Sequence, residues 1–431
     1  MSARKLALKV LSRCRRDGGY SNLTLDSALK NSELSDADKA LATQLVFGVI
    51  TRKITLDYYI LKLSSIGGSK IEPDVRDVLR MGLYQLIYLD RIPAHAAVNE
   101  SVTLVPSRAR GFVNAVLRNW QRKGKDIALP DDPIEKMSVL RSYPVELCEK
   151  LVEEYGYSDA DACLEAMNET PPLTVRVNTL KTSREDLLRV FLENGIDAEA
   201  GIVSPYAIRV KGTPITRLPG FDEGFFFAQD EASQICVAAL GVKSGDTFID
   251  VCSAPGGKSF GAAMMMENTG KIHSFDLHDS KISLIRSGAE KLGINIIEAR
   301  AADARDFVVE LSKSADAVLC DVPCSGYGVM AKKPEIRFKP LENAARLPEI
   351  QYAILESASK YVKKGGTLIY STCTVLSEEN GKNVERFLSE HRDFVAEGFS
   401  LGGKGFASQT TLLPHKDGTD GFFVAKFIKK L

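Results

Sequence analysis

The stretch TFIDVCSAPGGKSF, residues 247–260, decides the fold class of this chain. An apolar, β-prone run ends at Asp250, a Pro-Gly-Gly turn follows, and a helical segment comes next. Such a tight turn from strand to helix is typical of α/β proteins, and its glycines let a small or flat ligand approach the backbone. We therefore expect a strand, a binding loop and a helix here.

The same rhythm of strand, loop and helix continues to the C-terminus. Helical segments such as SKISLIRSGAEKLG lie between the predicted strands. This alternation predicts a doubly wound sheet with a parallel core, and thus an α/β domain over residues 231–431. The predicted strands are TFIDV, KIHSFDL, NIIEARAA, AVLCDV, TLIYST and FFVAKFI.

The Gly-Lys-Ser end of the loop raises the alternative of a phosphate-binding loop for nucleoside triphosphates. That loop needs a glycine five places before Gly257, and Cys252 stands there. The dinucleotide fingerprint G-x-G-x-x-G is also absent from the sequence. Neither of these phosphate-binding motifs is therefore supported.

Acidic residues follow the predicted strands one after another. Asp276 stands near the end of the second strand, Asp303 follows the third, and Asp321 follows the fourth. Because open parallel sheets bind ligands beyond the carboxyl ends of their strands, we expect these carboxylates to rim one pocket. Such a rim suits an uncharged adenosine attached to a cation, which describes S-adenosyl-L-methionine and implies methyl transfer.

Two thiols stand at strand ends on the same predicted edge, Cys324 in DVPCSGYGVM and Cys373 in IYSTCTV. Cys320 lies inside its strand and is expected to pack in the core. Carbon-5 of a pyrimidine is a poor nucleophile that becomes reactive when a thiolate adds to carbon-6. The two thiols therefore suggest this chemistry, with the second thiol or an acid assisting release of the enzyme.

The rest of the chain divides into two further regions. Residues 1–130 are predicted to form a helical bundle, because Ser35 and Asp38 resemble a capping box and Pro73 stands where a first helical turn begins. Residues 141–230 mix helices with short strands, which predicts a small α+β module. A segment rich in Pro and Asp, GKDIALPDDPIEK, separates the two regions.

Charge and composition limit the classes of function. The formal net charge is zero, but residues 1–16 and 101–125 carry basic residues without any acid, which indicates either solvated helix faces or a phosphate-facing patch. No apolar run reaches the length of a membrane span and no signal core is present, so we expect a cytoplasmic protein. The cysteines form no C-x-x-C pair, so we expect no metal.

Several motifs resemble those of the Nop2/Sun family of RNA cytosine-5 methyltransferases. They are DVCSAPGGKS, DVPCSGYGV followed by KKPEIRF, YSTCTVLSEEN, FAQDEASQ and DGTDGFFVAKF. The N-terminal region, with SNLTLDSAL, ITLDYYILKL and GFVNAVLRN, is similar to a NusB-like RNA-binding domain. The resemblance implies a multidomain fold: an all-α NusB-like bundle, 1–130, a small α+β RNA-binding module, 141–230, and a Rossmann-like S-adenosylmethionine-dependent methyltransferase domain, 231–431.

The resemblance also implies roles for single residues. The family's nucleophile falls on Cys373 and its release cysteine on Cys324. Asp321 falls where the family holds the cytosine edge, and Lys258 is expected near the reacting base. The implied cofactor site comprises the loop and the strand-end acids: Cys252, Ser253, Ala254, Pro255, Gly256, Gly257, Lys258, Asp276, Asp303 and Asp321.

The implied substrate is 16S rRNA, naked or incompletely assembled, because the target cytosine must be unstacked before a thiol can reach it. We expect a monomer without a membrane partner. Three alternatives stay open: Cys324 as the attacking thiol, as in the Pro-Cys motif of DNA cytosine methyltransferases, a tRNA substrate, and a non-catalytic NusB-like RNA-binding or antitermination factor. Trp120 could stack on a base, although core packing is favoured.

Overall fold

A computed structural model describes residues 1–17 and 21–431 of the chain. These residues form two compact units. The first comprises Met1–Glu169 and Met330–Lys339, and the second comprises Thr170–Val329 and Pro340–Leu431. We call Met330–Lys339 the 330–339 insert. The side chain of Lys125, a member of the second basic block, lies outside the described part of the chain.

The first unit is helical, as the sequence predicts. Its helices are α1 (Ala3–Asp17), α2 (Ser21–Lys30), α3 (Asp36–Thr51), α4 (Lys53–Leu63), α5 (Pro73–Tyr88), α6 (Ala94–Thr103), α7 (Ser107–Lys123), α8 (Pro133–Arg141), α9 (Val145–Tyr155) and α10 (Tyr157–Ala166). The Ser35 hydroxyl caps α3, since it accepts the Asp38 N–H at 3.2 Å. Pro73 begins α5, where a missing N–H leaves no helical hydrogen bond unmade.

The apolar faces of these helices meet in one core. Val46 of α3 and Val78 of α5 are fully buried there. Trp120 of α7 packs at the edge of this core against Tyr59, with ring centroids 4.7 Å apart, so its predicted core packing is confirmed.

Helices α9 and α10 belong to this unit, and the chain divides between Glu169 and Thr170, inside the range expected for the small module.

The 330–339 insert adds a buried guanidinium to the helical unit. Arg337 is 1% exposed, and its Nη1 donates to the Thr51 carbonyl and to Asn168 Oδ1, each at 2.8 Å. Its guanidinium carbon also lies 4.1 Å from the centre of the Tyr143 ring. Burial lowers the pKa of Arg337. The insert is therefore fixed by hydrogen bonds and a cation–π contact.

We expect Arg337→Ala to lower the free energy of unfolding of the helical unit by about 3 kcal/mol, because it leaves buried acceptors unpaired and opens a cavity. Trp120 is the only tryptophan and lies in this unit, so its fluorescence during urea unfolding reports on this unit specifically.

Lys333→Ala provides the control for that experiment, since Lys333 is an exposed residue of the same insert. We expect its effect to stay within about 0.5 kcal/mol. Equal unfolding curves for Arg337→Ala and Lys333→Ala would show that the guanidinium does not stabilise the unit.

The second unit begins with a small antiparallel sheet. Its elements are β1 (Leu173–Val177), α11 (Arg184–Glu193), β2 (Ala198–Ala200), β3 (Ala207–Val210) and β4 (Phe226–Ala228), with strand order β2-β3-β1-β4. Phe191 of α11 packs edge-on against Phe226 of β4, with ring centroids 5.5 Å apart. The α+β character predicted for this region is therefore confirmed.

A larger sheet with helices follows. Its elements are α12 (Glu231–Ala239), β5 (Thr247–Asp250), α13 (Gly257–Met265), β6 (Lys271–Asp276), α14 (Asp279–Leu292), β7 (Ile297–Ala301), β8 (Ala315–Asp321), α15 (Leu347–Ser359), β9 (Val362–Thr372), α16 (Gly381–Glu390), β10 (Phe394–Ala396), β11 (Phe399–Leu401), β12 (Lys404–Phe406), β13 (Gln409–Leu412), α17 (Pro414–Asp417) and β14 (Phe422–Lys429). The strand order is β10-β14-β9-β8-β5-β6-β7, β13 pairs with β14, and β11 and β12 form a separate hairpin.

The centre of the large sheet is parallel, as predicted. Strand β5 pairs in parallel with β6 and β8, β6 with β7, and β8 with β9, whereas β14 is antiparallel to β9. Ile249, Val318 and Leu368 are fully buried, which explains the continuous apolar runs in the sequence. Parallel pairing brings the carboxyl ends of β5 to β9 to one edge, where the predicted site residues stand.

In the part of the chain that the structure describes, no helix combines the length and apolarity that crossing a bilayer would require.

Candidate active site

The loop between β5 and α13 follows the carboxyl edge of the sheet. The Ser253 N–H donates to the Phe275 carbonyl at the end of β6, at 2.7 Å. Gly256 has φ of 107°, and a Cβ atom there would lie 2.4 Å from Cζ of Phe260. Only glycine fits this position without strain, because the Phe260 ring occupies the space that a side chain would need.

A buried carboxyl lies beneath the loop. Asp250 is 1% exposed, and its Oδ2 accepts a hydrogen bond from the Ser259 hydroxyl at 2.7 Å. The Ser259 oxygen also lies 2.9 Å from Ser253 Oγ and 2.8 Å from Ser274 Oγ. Burial raises the pKa of Asp250 to about 6. This network joins the loop to α13 and β6, and sequence reasoning assigned it no role.

The raised pKa of Asp250 makes stability depend on pH. Its folded pKa of about 6 exceeds the ordinary value of 3.8, so the folded protein binds the proton more tightly, and stability falls as the pH rises between these values. Proton binding by Asp250 contributes about 3 kcal/mol to the free energy of unfolding at low pH, and this contribution is lost as the pH rises. Asp250→Asn lacks this contribution, so we expect its stability relative to wild type to rise by about that amount between pH 4 and pH 7.

Urea unfolding of both proteins at several pH values measures this difference. Asp246→Asn is a suitable control, because Asp246 caps the turn before β5 at the opposite edge of the sheet and is only partly buried. A difference between Asp250→Asn and wild type that does not change with pH would contradict the prediction.

The predicted acid rim stands at neighbouring strand ends. Asp276 ends β6, and its carbonyl accepts the Ala302 N–H at 3.0 Å, which brings the segment after β7 alongside. Asp303 accepts from the backbone N–H and the guanidinium of Arg305, which lower its pKa to about 2. Both carboxylates can accept hydrogen bonds from hydroxyl or amino groups of a ligand.

Cys252 lies among the carboxylates. Burial, followed by the charges of Asp250, Asp321, Asp276 and Asp303, raises its pKa well above the ordinary value. Cys252 therefore stays a neutral thiol. Three of these carboxylates are ion-paired, Asp321 with Lys258, Asp276 with Lys281 and Asp303 with Arg305. The described residues contain no group of His, Cys, Asp or Glu side chains suited to holding a metal ion.

Lys258 and Asp321 form an ion pair at this edge. Lys258 Nζ lies 2.6 Å from Asp321 Oδ2, and the Ser371 hydroxyl donates to Asp321 Oδ1 at 2.9 Å. Burial alone would lower the pKa of Lys258, but the Asp321 carboxylate outweighs it and raises the pKa above its ordinary value. Lys258 thus stays a cation, and Asp321 is held in a fixed orientation by two donors.

The two predicted thiols face each other. Cys324 follows β8, Cys373 directly follows β9, and their sulfur atoms lie 2.9 Å apart. The Cys373 N–H donates to Cys324 Sγ at 3.2 Å, and the Gly328 N–H donates to the Cys373 carbonyl at 2.9 Å. The hydrogen bond with Cys373, together with burial, raises the pKa of Cys324.

Cys320 is buried within β8, so its predicted packing role is confirmed.

Other polar residues of the site received no role from sequence reasoning. Ser371 orients Asp321, and Glu379 and Asn380 contact the two loops that carry the thiols. All three lie within the quoted stretch YSTCTVLSEEN, so their closeness to Cys373 in the sequence was the available signal.

Fold and site together define a class of protein, an S-adenosylmethionine-dependent methyltransferase of the α/β type with a helical N-terminal unit. Family models agree over most of the chain. Residues 237–428 match 16S rRNA methyltransferase RsmB/F, residues 1–122 match the NusB family, and residues 143–216 match the RsmF/B-like ferredoxin-like domain.

Whole-chain relatives give the particular family. The chain is 38% identical to the probable ribosomal RNA small subunit methyltransferase B of Bacillus subtilis, covering 100% of this chain and 99% of that protein. It is 32% identical to ribosomal RNA small subunit methyltransferase B of Photorhabdus laumondii, covering 96% of both. The chain belongs to the 16S rRNA methyltransferase RsmB/F family.

Solved structures have the same fold. The crystal structure of PH0851 covers 99% of both chains with a TM-score of 0.79 and 25% identity. A methyltransferase homologue from Pyrococcus horikoshii covers 70% of this chain and all of its own, with a TM-score of 0.61 and 26% identity.

The protein is an rRNA methyltransferase, so the alternative of a non-catalytic RNA-binding factor is excluded.

Proposed function

We propose that this enzyme methylates carbon-5 of a cytosine in 16S rRNA through a transient bond between Cys373 and carbon-6. One observation carries the proposal: the Cys324 and Cys373 sulfur atoms lie 2.9 Å apart at the carboxyl edge, which also carries the ion pair of Lys258 and Asp321. A methyl acceptor that is already nucleophilic would need no thiol, whereas cytosine C5 needs one.

The acid-rimmed loop fits S-adenosylmethionine. A side chain at Gly257 would meet no atom closer than 3.5 Å, and the carboxylates of Asp276 and Asp321 stand at the ends of β6 and β8. When bound, the cofactor supplies a methyl group on a positively charged sulfur. Asp276 and Asp303 would accept hydrogen bonds from its ribose and adenine groups. The loop Cys252–Gly257 would contact it through the backbone.

We expect the ion pair of Lys258 and Asp321 to bind the cytosine. The Asp321 carboxylate, oriented by Ser371, would accept a hydrogen bond from the amino group of the base. The ammonium group of Lys258 would stabilise the negative charge that thiolate addition drives onto the ring. Both groups are fixed before the substrate arrives, which lowers the reorganisation needed in the transition state.

The thiols perform addition and release. The Cys373 thiolate forms a bond to carbon-6, and the electron pair displaced to carbon-5 forms a bond to the methyl group. The bond between that methyl group and the sulfonium sulfur would break in the same step and leave a neutral thioether. A base then removes the proton from carbon-5, the carbon-5–carbon-6 double bond forms again, and the carbon–sulfur bond breaks to return the Cys373 thiolate. Cys324 is the group placed to assist this release, since its sulfur lies beside that of Cys373.

The helical unit supplies cationic side chains for the RNA. Lys5, Lys9, Arg110 and Lys123 are exposed, and none of them has a carboxylate partner among the described residues. Other members of the two basic blocks are paired, for example Arg108 with Glu72 at 3.1 Å. The unpaired cations suit contacts with backbone phosphates, which give affinity without sequence specificity.

Transfer of a labelled methyl group to naked 16S rRNA, followed by bisulfite sequencing, tests the proposed function. We expect one strongly labelled cytosine, protected from bisulfite conversion, and weak labelling of assembled small subunits because the base is then less accessible. Labelling of tRNA in preference to rRNA would support the alternative substrate. Label on an exocyclic amino group would overturn the proposed chemistry.

A further inference from the structure

A buried carboxylate lies behind the two thiols. Glu379, six residues after Cys373, is 1% exposed. Its Oε2 accepts the Ser325 N–H at 2.9 Å, and its Oε1 accepts the Ser325 hydroxyl at 2.5 Å. Ser325 directly follows Cys324, so this carboxylate holds the loop that carries Cys324 by two bonds.

The next residue holds the other thiol. Asn380 Oδ1 accepts the Thr372 hydroxyl at 2.6 Å, and Asn380 Nδ2 donates to the Thr374 carbonyl at 3.1 Å. Thr372 and Thr374 flank Cys373, so Asn380 fixes the turn around Cys373 from both sides. The hydroxyl oxygens of Ser325 and Thr374 also lie 2.9 Å apart, which joins the two loops.

Glu379 is itself fixed by the core of the domain. Gln351 of α15 is fully buried, and its Nε2 donates to Glu379 Oε2 at 2.8 Å and to the Pro323 carbonyl at 3.0 Å. The Tyr370 hydroxyl of β9 donates to the Glu379 carbonyl at 2.5 Å. The carboxylate therefore links α15 to the Cys324 loop, and the main-chain carbonyl of Glu379 is fixed to β9.

Stability alone does not account for a carboxylate at this position. Within the described residues, no Lys, Arg or His nitrogen forms an ion pair with Glu379, and a buried polar group is expensive unless its hydrogen bonds are all made. Neutral hydrogen-bond donors compensate it only while all of them keep their positions. Such a group restricts the geometry of its donors, two of which belong to the residue that follows Cys324.

We propose that Glu379 and Asn380 are positioning residues that divide the two-thiol chemistry between them. Glu379 keeps Cys324 in place for release, and Asn380 keeps Cys373 in place for attack. This inference rests on the proposed function, because it presumes a covalent adduct between protein and RNA. Loss of Glu379 will slow the breakdown of the adduct, and loss of Asn380 will slow its formation.

The experiment incubates each full-length variant with labelled naked 16S rRNA and S-adenosylmethionine, then measures the protein–RNA adduct that survives denaturing electrophoresis. We expect Glu379→Ala to accumulate adduct and to release product about a hundredfold more slowly, since displacement of a reacting group by about 1 Å has an effect of that size. Asn380→Ala is expected to form little adduct. Glu379→Gln keeps the acceptor for Ser325 N–H and Gln351, so we expect it to release product within about tenfold of wild type.

Two controls separate positioning from general damage. Glu378→Ala removes the adjacent carboxylate, whose ion pair with Lys382 is 3.5 Å long, and is expected to behave as wild type. Ser325→Ala removes the hydroxyl group that bonds to Glu379 and contacts Thr374, but keeps the backbone N–H bond to Glu379. It is expected to accumulate adduct to a lesser degree than Glu379→Ala, and it tests the inference even where Glu379→Ala does not fold.

The outcomes are distinguishable. If Cys324→Ala forms no adduct, the proposed function itself fails. If Cys324→Ala traps the adduct while Glu379→Ala and Ser325→Ala show the wild-type level, the proposed function stands and the role of Glu379 is wrong. Failure of Glu379→Gln to restore release, with an intact fold, would also overturn positioning, because the substitution preserves the hydrogen-bond geometry.

Discussion

Cys373→Ala will form no covalent adduct with 16S rRNA, and Cys324→Ala will accumulate one. In the proposed reaction Cys373 makes the only bond between protein and base, so its loss should lower methyl transfer by about 10⁴-fold or more. Cys324 acts after methyl transfer, so its loss should leave adduct formation intact and prevent release. Denaturing electrophoresis with labelled rRNA measures the adduct, and single-turnover methylation measures the transfer step.

Cys14→Ser is the matched control, since Cys14 is a partly buried thiol in α1 of the helical unit. It should neither trap an adduct nor reduce methylation. The opposite pattern, with trapping in Cys373→Ala and none in Cys324→Ala, would reverse the two roles.

Asp321→Asn will lower kcat by about a thousandfold. The carboxylate is held at 2.6 Å by Lys258 and at 2.9 Å by Ser371, so an amide of the same size occupies the same space without the charge. The loss removes an acceptor for the cytosine amino group and leaves Lys258 without its counter-ion. Removing one such preorganised electrostatic contact typically has an effect of this size.

Asp316→Asn supplies a control on the same strand. Asp316 lies near the start of β8, forms an ion pair with Lys363 and accepts the Thr247 N–H at 3.0 Å, so it has the same chemistry at the opposite edge of the sheet. We expect this variant to be less stable yet to keep a near wild-type kcat. An equal loss of activity in both variants would assign the effect of Asp321→Asn to folding rather than to the site.

Many of the site residues could be predicted because they lie at the ends of predicted strands. Asp276, Asp321, Cys324 and Cys373 each come directly after or at the end of an apolar run, and parallel pairing places such ends at one edge. The loop could also be predicted from the local sequence, because Gly256 adopts a backbone conformation that other residues reach only with strain. Local sequence was sufficient because period and turn chemistry are local properties.

Contacts between segments that are far apart in the sequence could not be predicted in this way. Glu379 and Ser325 are separated by 54 positions, and Arg337 and Thr51 by 286, so no periodic pattern links them. The assignment of α9, α10 and the 330–339 insert to the helical unit likewise depends on packing. Sequence patterns show which face of an element is buried, but not which other element covers it.

The sequence by itself determined the helical bundle, the small α+β module, the parallel sheet and the edge on which the thiols stand, because these depend on periodicity, turn residues and strand direction. Only the tertiary structure decided that the sulfur atoms of Cys324 and Cys373 lie 2.9 Å apart and that Glu379 and Asn380 hold their loops. Those distances result from side chains that meet after the strands have paired, and they are set by packing and buried hydrogen bonds across the whole domain.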